Sequence, residues 1–441
     1  MNGIPARIDA VWRIDGARVV ATLAKLTGDV GLAEDLAQEA LVEALAQWPR
    51  DGVPANPGGW LTTVAKRRAI DHWRRRERLD DRYRTLASAL EEGTDDAWEP
   101  IDDDVLRLVF TACHPVLSRE AQVALTLRVV AGLSTAEIAR MYFVPVATVQ
   151  QRIVRAKKTI SAARVPFETP EPPEWKERLA GVLSVVYLVF TEGYAATTGR
   201  EWMRPELAHE ALRLGRMVAA LLPREPEAHA LVALMELQAA RFAARTHPDG
   251  TPVLLADQDR TRWDRAQIVR GRAALARADE LGRGRGPYAV QAAIAECHAI
   301  ATSTDETDWE RIVLLYEALG RIAPNPVVEL NRAAAVSMAT GPANALWIAD
   351  ELAAQGALQG SHLLPSVRGE LLARLGRTEE AVSELTAAAG LAANDRERDV
   401  LLAKAARLRN LSPTVEYTKT ARLRRQNVQS PRTRRWGAGA G

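Results

Sequence analysis

Residues 117–160 hold the pattern that most constrains how this chain can fold. Ser118 can cap a first helix, and Gly132 ends it. Ser134 can cap a second, short helix, and Glu137 three residues later completes a capping box. The apolar positions that should be buried on these two helices are Val123, Leu127, Val130, Ile138 and Tyr142. The pattern predicts two helices joined by a tight turn, with a third helix to follow.

The third helix of this stretch has two faces of opposite character. Pro145 ends the preceding turn and can sit in the first turn of the helix. The apolar stripe recurs at spacings of four and three and consists of Val149, Ile153, Ala156 and Ile160. The opposite face is basic and amide-bearing and consists of Thr148, Gln151, Arg152, Arg155 and Lys158. Such a face suits the DNA major groove, so we predict a DNA-binding helix-turn-helix. The alternative is an ordinary amphipathic hairpin with a solvated basic face.

The composition of the chain predicts an all-α fold. Ala, Leu, Arg and Glu dominate, strand signals are almost absent, and Gly and Pro recur at helix-length intervals. Lys and Arg number 58 against 56 Asp and Glu, so the net charge of +2 excludes no class of partner. The distribution is more informative, because basic stretches near 66–78, 150–158 and 419–435 contrast with an acidic run near 91–104.

Cysteine usage and hydropathy predict the compartment. Two cysteines cannot form a disulfide framework, which fits a reducing environment. The pairs Cys113-His114 and Cys297-His298 lack zinc-site spacing, so we predict buried thiols, no metal and no cofactor. The chain has no signal-peptide pattern and no run of 18 apolar residues. These features predict a cytoplasmic protein.

Residues 10–78 are predicted to form a compact helical domain. A first helix should end at Gly28, and a second should run from 31 to 48 and end before Pro49. The side chains of the second helix expected to point inward are Leu41, Leu45 and Trp48. Its other face is acidic and polar and consists of Glu34, Asp35, Gln38, Glu39 and Glu43. Taken alone, that face is typical of a solvated helix surface.

A third helix of this domain is both basic and aromatic. Asn56-Pro57 is a helix-start signal. The first half of the helix should pack through Leu61, Val64 and Ala65, whereas the second half is strongly basic with Trp60, His72 and Trp73 nearby. Cationic side chains can bind the phosphate backbone of nucleic acid, and aromatic rings can stack on its exposed bases. The combination predicts binding to melted nucleic acid. The alternative is a solvated basic face whose tryptophans belong to the core.

Three motifs in order resemble a known family. The sequence AEDLAQEALVEALAQW at 33–48 resembles the polymerase-binding helix of sigma-70-family RNA polymerase sigma factors. The segments 60–78 and 132–160 resemble that family's −10-melting helix and −35-reading helix-turn-helix. The short linker between them resembles the extracytoplasmic-function type. The resemblance implies a non-catalytic initiation subunit of RNA polymerase with core polymerase and promoter DNA as partners.

The resemblance also implies roles for individual residues. Those expected to contact the clamp helices of the largest polymerase subunit are Asp35, Gln38 and Glu39. Those expected along the −10 element are Trp60, Lys66, Arg67, Arg68, Asp71, Arg74 and Arg75. Those expected at the −35 groove are Thr148, Gln151, Arg152 and Arg155, with Lys158 holding phosphate. Many relatives have Asn in place of Arg68 and Lys-Ser in place of Gln150-Gln151, so the resemblance predicts no promoter sequence.

The rest of the chain reads as a helical extension. Gly341 and Gly376 are matching turns 35 residues apart, which is close to the period of tetratricopeptide (TPR) repeats. We predict a TPR-like solenoid that contacts the sigma domains or a protein partner, with structural packing alone as the alternative. The combination resembles a subgroup of extracytoplasmic-function sigma factors in which the extension controls activity. The charged stretch 254–268 is predicted to be a solvated helix start, with an interfacial ion-pair network as the alternative, and 282–287 a flexible turn.

The predicted domains follow from these boundaries. They are a polymerase-binding and −10 domain at 1–79, an acidic linker at 80–104, a helix-turn-helix domain at 105–164, a proline-rich hinge at 165–174, a TPR-like extension at 175–410 and a basic disordered tail at 411–441. The predicted function is an alternative sigma factor with a regulatory extension. The alternative is a helix-turn-helix regulator with a TPR-like sensor domain, which leaves the two N-terminal motifs unexplained. A peptide-binding scaffold explains neither basic domain, and no catalytic pattern predicts an enzyme.

Overall fold

The computed structural model describes residues 3–76, 102–142, 144–195, 202–248, 250–282 and 284–411. Within these ranges the chain is helical and contains no β-strand beyond one isolated bridge between Thr246 and Pro252. The predicted acidic linker lies almost wholly outside the described residues, as does the basic tail. None of the described helices is long and apolar enough to cross a membrane.

The chain divides into two compact units. The first unit comprises Met1–Ala196, Met203–Arg245 and Gln258–Ala299, and the second comprises Thr197–Trp202, Thr246–Asp257 and Ile300–Gly441. The helices of the first unit are α1 (Gly3–Thr27), α2 (Val30–Asp51), α3 (Pro57–Arg76), α4 (Asp102–Ala112), α5 (Arg119–Val129), α6 (Thr135–Tyr142), α7 (Val146–Ala162), α8 (Trp175–Tyr194), α9 (Pro205–Leu221), α10 (Pro226–Ala239), α11 (Arg265–Leu281) and α12 (Pro287–Ile300). A 3₁₀ turn, Phe242–Ala244, follows α10, and another, Arg260–Arg262, precedes α11.

One apolar core extends through the first unit. It joins buried residues of α1, α2 and α3 with those of the helix-turn-helix and of α8 to α10. Trp48 and Leu61 are buried between the N-terminal helices, and Phe190 is buried in the extension. Burial of this much apolar surface is the main force that holds the N-terminal helices and the extension together.

The second unit is built from successive helix pairs. Its helices are α13 (Trp309–Ile322), α14 (Pro326–Ala339), α15 (Pro342–Ala354), α16 (Leu363–Arg374), α17 (Thr378–Leu391) and α18 (Asp395–Leu411). Gly341 and Gly376 have φ of 100° and 74°, so both predicted turns are confirmed at positions that favour glycine. A Cβ at Gly369 would lie 2.8 Å from Leu385, because α16 and α17 cross closely there. The prediction of an all-α chain with a helical extension is confirmed.

Local capping signals predicted several helix boundaries correctly. Helix α1 ends at Thr27, and Gly28 follows with φ of 67°. Asn56 Oδ1 accepts a hydrogen bond from the Gly59 backbone at 3.0 Å at the start of α3. Ser118 caps α5, where its hydroxyl accepts from Ala121 N at 3.4 Å. Pro145 is the residue before the first turn of α7 rather than part of that turn.

Other details of the prediction were wrong. Helix α2 continues through Pro49 to Asp51, because a proline in the last turn removes only one hydrogen bond there. Leu45 was expected to point inward, yet it is 45% exposed, whereas Trp48 is buried. Within the stretch 254–268, Arg260 and Trp263 are buried rather than solvated. Packing against distant parts of the chain decides these positions.

Candidate polymerase and promoter interfaces

Helix α2 carries the predicted polymerase-binding residues. Asp29 caps this helix, because its carboxylate accepts a hydrogen bond from Leu32 N at 3.0 Å. Asp35, Gln38 and Glu39 are spaced by three and four residues, so they share one helix face. Asp35 and Glu39 are exposed, and Gln38 is partly buried. The face is therefore a mainly accessible acidic surface.

Glu34 belongs to the same acidic run but is buried. Its Oε1 lies 2.7 Å from Nη2 of Arg128 on α5, and its Oε2 pairs with Nζ of Lys157 on α7. The side chains of Arg128 and Lys157 are each only 14% exposed. We call Glu34, Arg128 and Lys157 the Glu34 clasp. It holds α2 against the helix-turn-helix, and sequence reasoning placed Glu34 on a solvated face instead.

Lys157 also reaches the predicted polymerase-binding surface. Its Nζ lies 2.8 Å from Oδ1 of Asp35. Burial alone would lower the pKa of the Lys157 ammonium, but Glu34 and Asp35 outweigh burial and raise that pKa above its ordinary value. Lys157 is therefore charged at neutral pH. An acidic group predicted to bind polymerase thus has an intramolecular cation as its neighbour.

Helix α3 holds the predicted −10 residues. Trp60 is partly buried, and its ring packs edge-on against Trp48 with centroids 5.3 Å apart. Arg67 and Asp71 are exposed, and Lys66 is partly exposed. Residues 74 and 75 lie in the last turn of α3, and their side chains fall outside the described part of the structure.

Arg68 differs from its basic neighbours because it is paired. Its Nη2 lies 2.8 Å from Oε2 of Glu43 on α2. The hydrogen bond that Arg68 donates to Glu43, together with the negative charge of Glu43, raises the pKa of the Arg68 guanidinium. Among the residues of α3 whose side chains are described, Arg67 is an exposed cation without this pairing, whereas Arg68 joins α3 to α2.

Helix α7 has the two faces that the sequence predicted. The stripe Val149, Ile153, Ala156 and Ile160 is buried, so that prediction is confirmed. Gln151, Arg155 and Lys158 are exposed, and Thr148 and Arg152 are partly buried. Spacings of three and four between 148, 151, 152 and 155 place these four residues on one face. The helix therefore presents a polar and partly basic surface opposite its buried stripe.

The capping box of α6 is formed and extended by a cation. Ser134 N donates to Glu137 Oε2 at 2.8 Å, and Glu137 N donates to Ser134 Oγ at 3.1 Å. Arg13 Nη2 on α1 lies 2.7 Å from Glu137 Oε1 and its Nη1 lies 3.9 Å from Glu210 Oε2 on α9. Burial would raise the pKa of Glu137, but the Ser134 hydrogen bonds and Arg13 hold it below its ordinary value.

The first helices of the extension donate hydrogen bonds to the helix-turn-helix domain. Arg178 Nη2 on α8 donates to the Phe110 carbonyl at 3.1 Å. Arg213 Nη2 on α9 donates to the Ala131 carbonyl at 3.0 Å, in the loop between α5 and α6. Both acceptors are backbone groups near helix C-terminal ends, where cations are favourable.

The described residues contain no group of three or more His, Cys, Asp or Glu side chains that could hold a metal ion. Cys113 and Cys297 are buried thiols outside any disulfide, as predicted. Burial raises the pKa of the Cys113 thiol to about 11, so this group is a neutral core side chain at physiological pH.

Family models match three parts of the chain. Sigma-70 region 2 matches residues 15–79, and sigma-70 region 4 matches residues 107–160. A family of unknown function, DUF6596, matches residues 178–279, at the start of the helical extension. The first range contains α2 and α3, and the second contains the helix-turn-helix. The third range contains α9 and α10 and most of α8 and α11.

Relatives of two kinds match the chain. An uncharacterized protein of Rhizobium meliloti (strain 1021) is 43% identical over 394 residues, which is 86% of this chain and 90% of that protein. A probable RNA polymerase sigma-C factor of Mycobacterium bovis is 30% identical over 163 residues, 37% of this chain and 82% of that protein. A probable ECF sigma factor, SigI, of Mycobacterium tuberculosis is 28% identical over 163 residues, 36% of this chain and 56% of that protein.

No solved structure matches the chain. The sigma matches lie in the region that carries the acidic face, the basic aromatic helix and the helix-turn-helix, and the family models place regions 2 and 4 in the order that the motifs predicted. The chain therefore belongs to the sigma-70 family of RNA polymerase sigma factors, in the extracytoplasmic-function (ECF) group, and carries a helical C-terminal extension with a DUF6596 domain.

Proposed function

We propose that this sigma factor binds core RNA polymerase through Asp35, Gln38 and Glu39, and that core binding brings α3 to the −10 element and α7 to the −35 element. The observation that carries the proposal is the placement of an accessible acidic face, a basic helix and a recognition-type helix within one unit. Acidic side chains suit a basic partner protein, whereas exposed Arg and Gln suit phosphate and base edges.

Direct binding to purified core polymerase tests whether the acidic face of α2 contacts the polymerase. We expect Asp35→Ala to weaken binding of the full chain to core at least tenfold, because the substitution removes a charge from the proposed contact surface. Asp9→Ala is the matched control, since Asp9 is exposed on α1 and lies outside that surface. Equal affinity of the two variants would reject Asp35 as a contact residue.

Core binding through Asp35 competes with the Lys157 ammonium. Separation of this pair is part of the proposed activation, because one carboxylate cannot keep its intramolecular cation and receive a polymerase cation with full strength. We expect Lys157→Gln to bind core more tightly than the wild type. Lys158→Gln is the matched control, because Lys158 is the exposed neighbour on the same helix. If both variants bind core polymerase with wild-type affinity, Lys157 does not compete with core polymerase for Asp35.

We propose that the extension regulates these surfaces by holding the helix-turn-helix loop. The support is the Arg213 hydrogen bond to Ala131, together with the two contacts of Arg13 to Glu137 and Glu210. Arg213→Ala should change the amount of promoter-specific transcript by at least twofold without changing the start site. Arg224→Ala is the control, since Arg224 is exposed on the same extension. Equal transcript from both variants would exclude this contact as a regulatory one.

Specific binding to promoter duplex without core polymerase would instead favour the second candidate, a helix-turn-helix regulator with a sensor domain. A gel-shift series with the full chain, with and without core, distinguishes the two. The sigma proposal expects promoter-specific retention only with core present.

A further inference from the structure

A cluster of cations lies in the extension part of the first unit, away from the sigma motifs. Arg241 and Arg245 flank the 3₁₀ turn Phe242–Ala244 after α10, and both contact Tyr194 at the end of α8. The Arg245 guanidinium carbon lies 3.5 Å from the centroid of the Tyr194 ring. The Arg241 guanidinium carbon lies 5.7 Å from that ring and 5.8 Å from the ring of Trp263. We call Arg241, Arg245 and Trp263 the cationic cluster.

The two arginines of the cluster have no carboxylate within ion-pair distance in the described ranges of the chain. Arg245 is only 6% exposed and donates to the Tyr194 carbonyl, whereas Arg241 donates to the Tyr194 hydroxyl. A helix C-terminus contributes roughly half a negative charge. About 1.5 positive charges on the pair therefore remain uncompensated by this end of α8.

The acidic residues nearby in sequence are used elsewhere. Asp259 caps the 3₁₀ turn before α11, where its carboxylate accepts from Thr261 N at 2.9 Å. Asp264 caps α11, where its carboxylate accepts from Gln267 N at 3.0 Å. Asp259 and Asp264 are therefore used as helix caps, and neither forms an ion pair with the cationic cluster, although an ion-pair network was one alternative predicted for this stretch.

The indole N–H of Trp263 is a second, independent indication that an acceptor belongs at this site. Its side chain is 3% exposed, and its Nε1–H is a buried donor with no acceptor among the residues that the structure describes. Buried donors without an acceptor are rare in folded proteins. The indole is also flanked by Arg260, whose guanidinium carbon lies 4.9 Å from the ring. Because arginines flank the indole, these surroundings favour a negatively charged acceptor for its N–H group.

Ionisation of the neighbouring groups agrees with an excess of positive charge. Burial, and then the charge of Arg241, lower the pKa of the Arg245 guanidinium to about 10, although Tyr194 acts in the opposite direction. Burial, and then the charges of Arg241 and Arg260, lower the pKa of His298 to about 4. His298 is therefore neutral at physiological pH and adds no further positive charge.

We propose that Arg241, Arg245 and the Trp263 indole bind the phosphate group of a small molecule or a free phosphate ion. A phosphate group carries about −1.5 to −2 charges near pH 7 and several acceptor oxygens, which matches the uncompensated charge and the available donors. A carboxylate supplies only one negative charge. Planar guanidinium groups bind phosphate oxygens in pairs. Arg241 is partly exposed and forms the accessible side, whereas the burial of Arg245 favours a small ligand over a nucleic-acid backbone.

Titration of the full chain tests the site. Calorimetry with inorganic phosphate and, separately, with glycerol 3-phosphate should detect binding at constant ionic strength, whereas acetate and chloride should not. Tighter binding of the ester would identify a phosphate ester as the ligand class, and equal or tighter binding of inorganic phosphate would identify the free ion. Arg241→Gln and Trp263→Phe should each weaken binding at least tenfold, since the first removes a positive charge and the second removes the indole N–H donor. Arg224→Gln and Trp347→Phe are the matched controls, because both side chains are exposed.

Thermal unfolding without phosphate separates a ligand site from a structural one. Removal of one of two like charges should leave the midpoint of Arg241→Gln at or above that of the wild type, and phosphate should raise only the wild-type midpoint. A structural Arg241 would instead lower the midpoint when it is replaced. The proposal is overturned if phosphate, acetate and chloride act alike on the wild type. It is equally overturned if Arg241→Gln melts lower and keeps the phosphate response.

Discussion

Two clusters of charged side chains in the same unit are compensated in opposite ways. In the Glu34 clasp, a buried carboxylate lies between two cations, and Asp35 adds a second acid beside Lys157. In the cationic cluster, two arginines meet a tyrosine and an indole with no carboxylate partner in the described ranges. The charges of the Glu34 clasp are balanced within the chain, so the clasp needs no external partner and is an intramolecular contact. The cationic cluster has an excess of charge that an external anion would balance.

The difference shows that the balance of charge in a buried cluster can indicate the role of that cluster. A matched set of buried charges is retained because the removal of one member leaves the others without a partner. An unmatched set costs stability in the folded chain, and folded proteins keep such sites where binding offsets that cost. The clasp thus points to contact between the two sigma domains, and the cationic cluster points to a ligand.

The largest effect should come from a break in the clasp. Glu34→Gln leaves Arg128 and Lys157 nearly buried without their shared carboxylate, and the loss of one partner of a buried pair costs about 3 kcal/mol of unfolding free energy. Urea unfolding of the full chain measures this change. Arg241→Gln should instead be at least as stable as the wild type when phosphate is absent.

Glu39→Gln is the matched control for the clasp, because Glu39 is exposed on the same helix. Its free energy of unfolding should stay within about 0.5 kcal/mol of the wild type. A Glu34→Gln protein as stable as this control would mean that the clasp contributes nothing to the fold.

A smaller effect should come from the capping box of α6. Ser134→Ala removes the acceptor for Glu137 N, and the loss of such a cap costs about 1 kcal/mol of unfolding free energy. Ser134→Thr keeps a hydroxyl and is the control that should recover most of this loss. If Ala and Thr variants unfold at the same urea concentration, the cap is not a source of stability.

The smallest effect should appear in the pH dependence. The folded-state pKa of Glu137 lies below its ordinary value of 4.5, so its stabilising contribution is present above that value and is lost as the pH falls through the folded-state pKa. The stability difference between the wild type and Glu137→Gln should therefore shrink below about pH 4.5. Denaturant melts at a series of pH values measure it, and a constant difference down to pH 3 would contradict this pairing.

Local signals in the sequence predicted much of the fold. The capping box of Ser134 and Glu137, the glycine turns and the apolar stripe of α7 depend on neighbours within a few residues, and all were predicted correctly. The candidate interfaces depended on the order of three motifs, which the sequence also contains. Whether the individual contact residues act as proposed stays a prediction.

Long-range packing explains what the sequence could not predict. Glu34 has the sequence pattern of an exposed acid on an amphipathic helix, and it becomes a buried ion-pair partner through Arg128 and Lys157, 94 and 123 positions later. The sequence predicts that Arg260 and Trp263 belong to a solvated charged stretch. In the structure, Arg260 contacts α12 and Trp263 contacts the turn after α10. A single sequence gives no signal for such contacts, because no periodicity links the partners.

The most direct test of the central claim is transcription from purified core polymerase and the full chain on a pool of promoter fragments. We expect transcripts from discrete start sites that share −35 and −10 sequences. Arg155→Ala should reduce these transcripts, because Arg155 is exposed on the proposed −35 face of α7. Absence of any chain-dependent transcript, combined with core-independent binding to promoter duplex, would contradict the claim that this chain initiates transcription as a sigma factor.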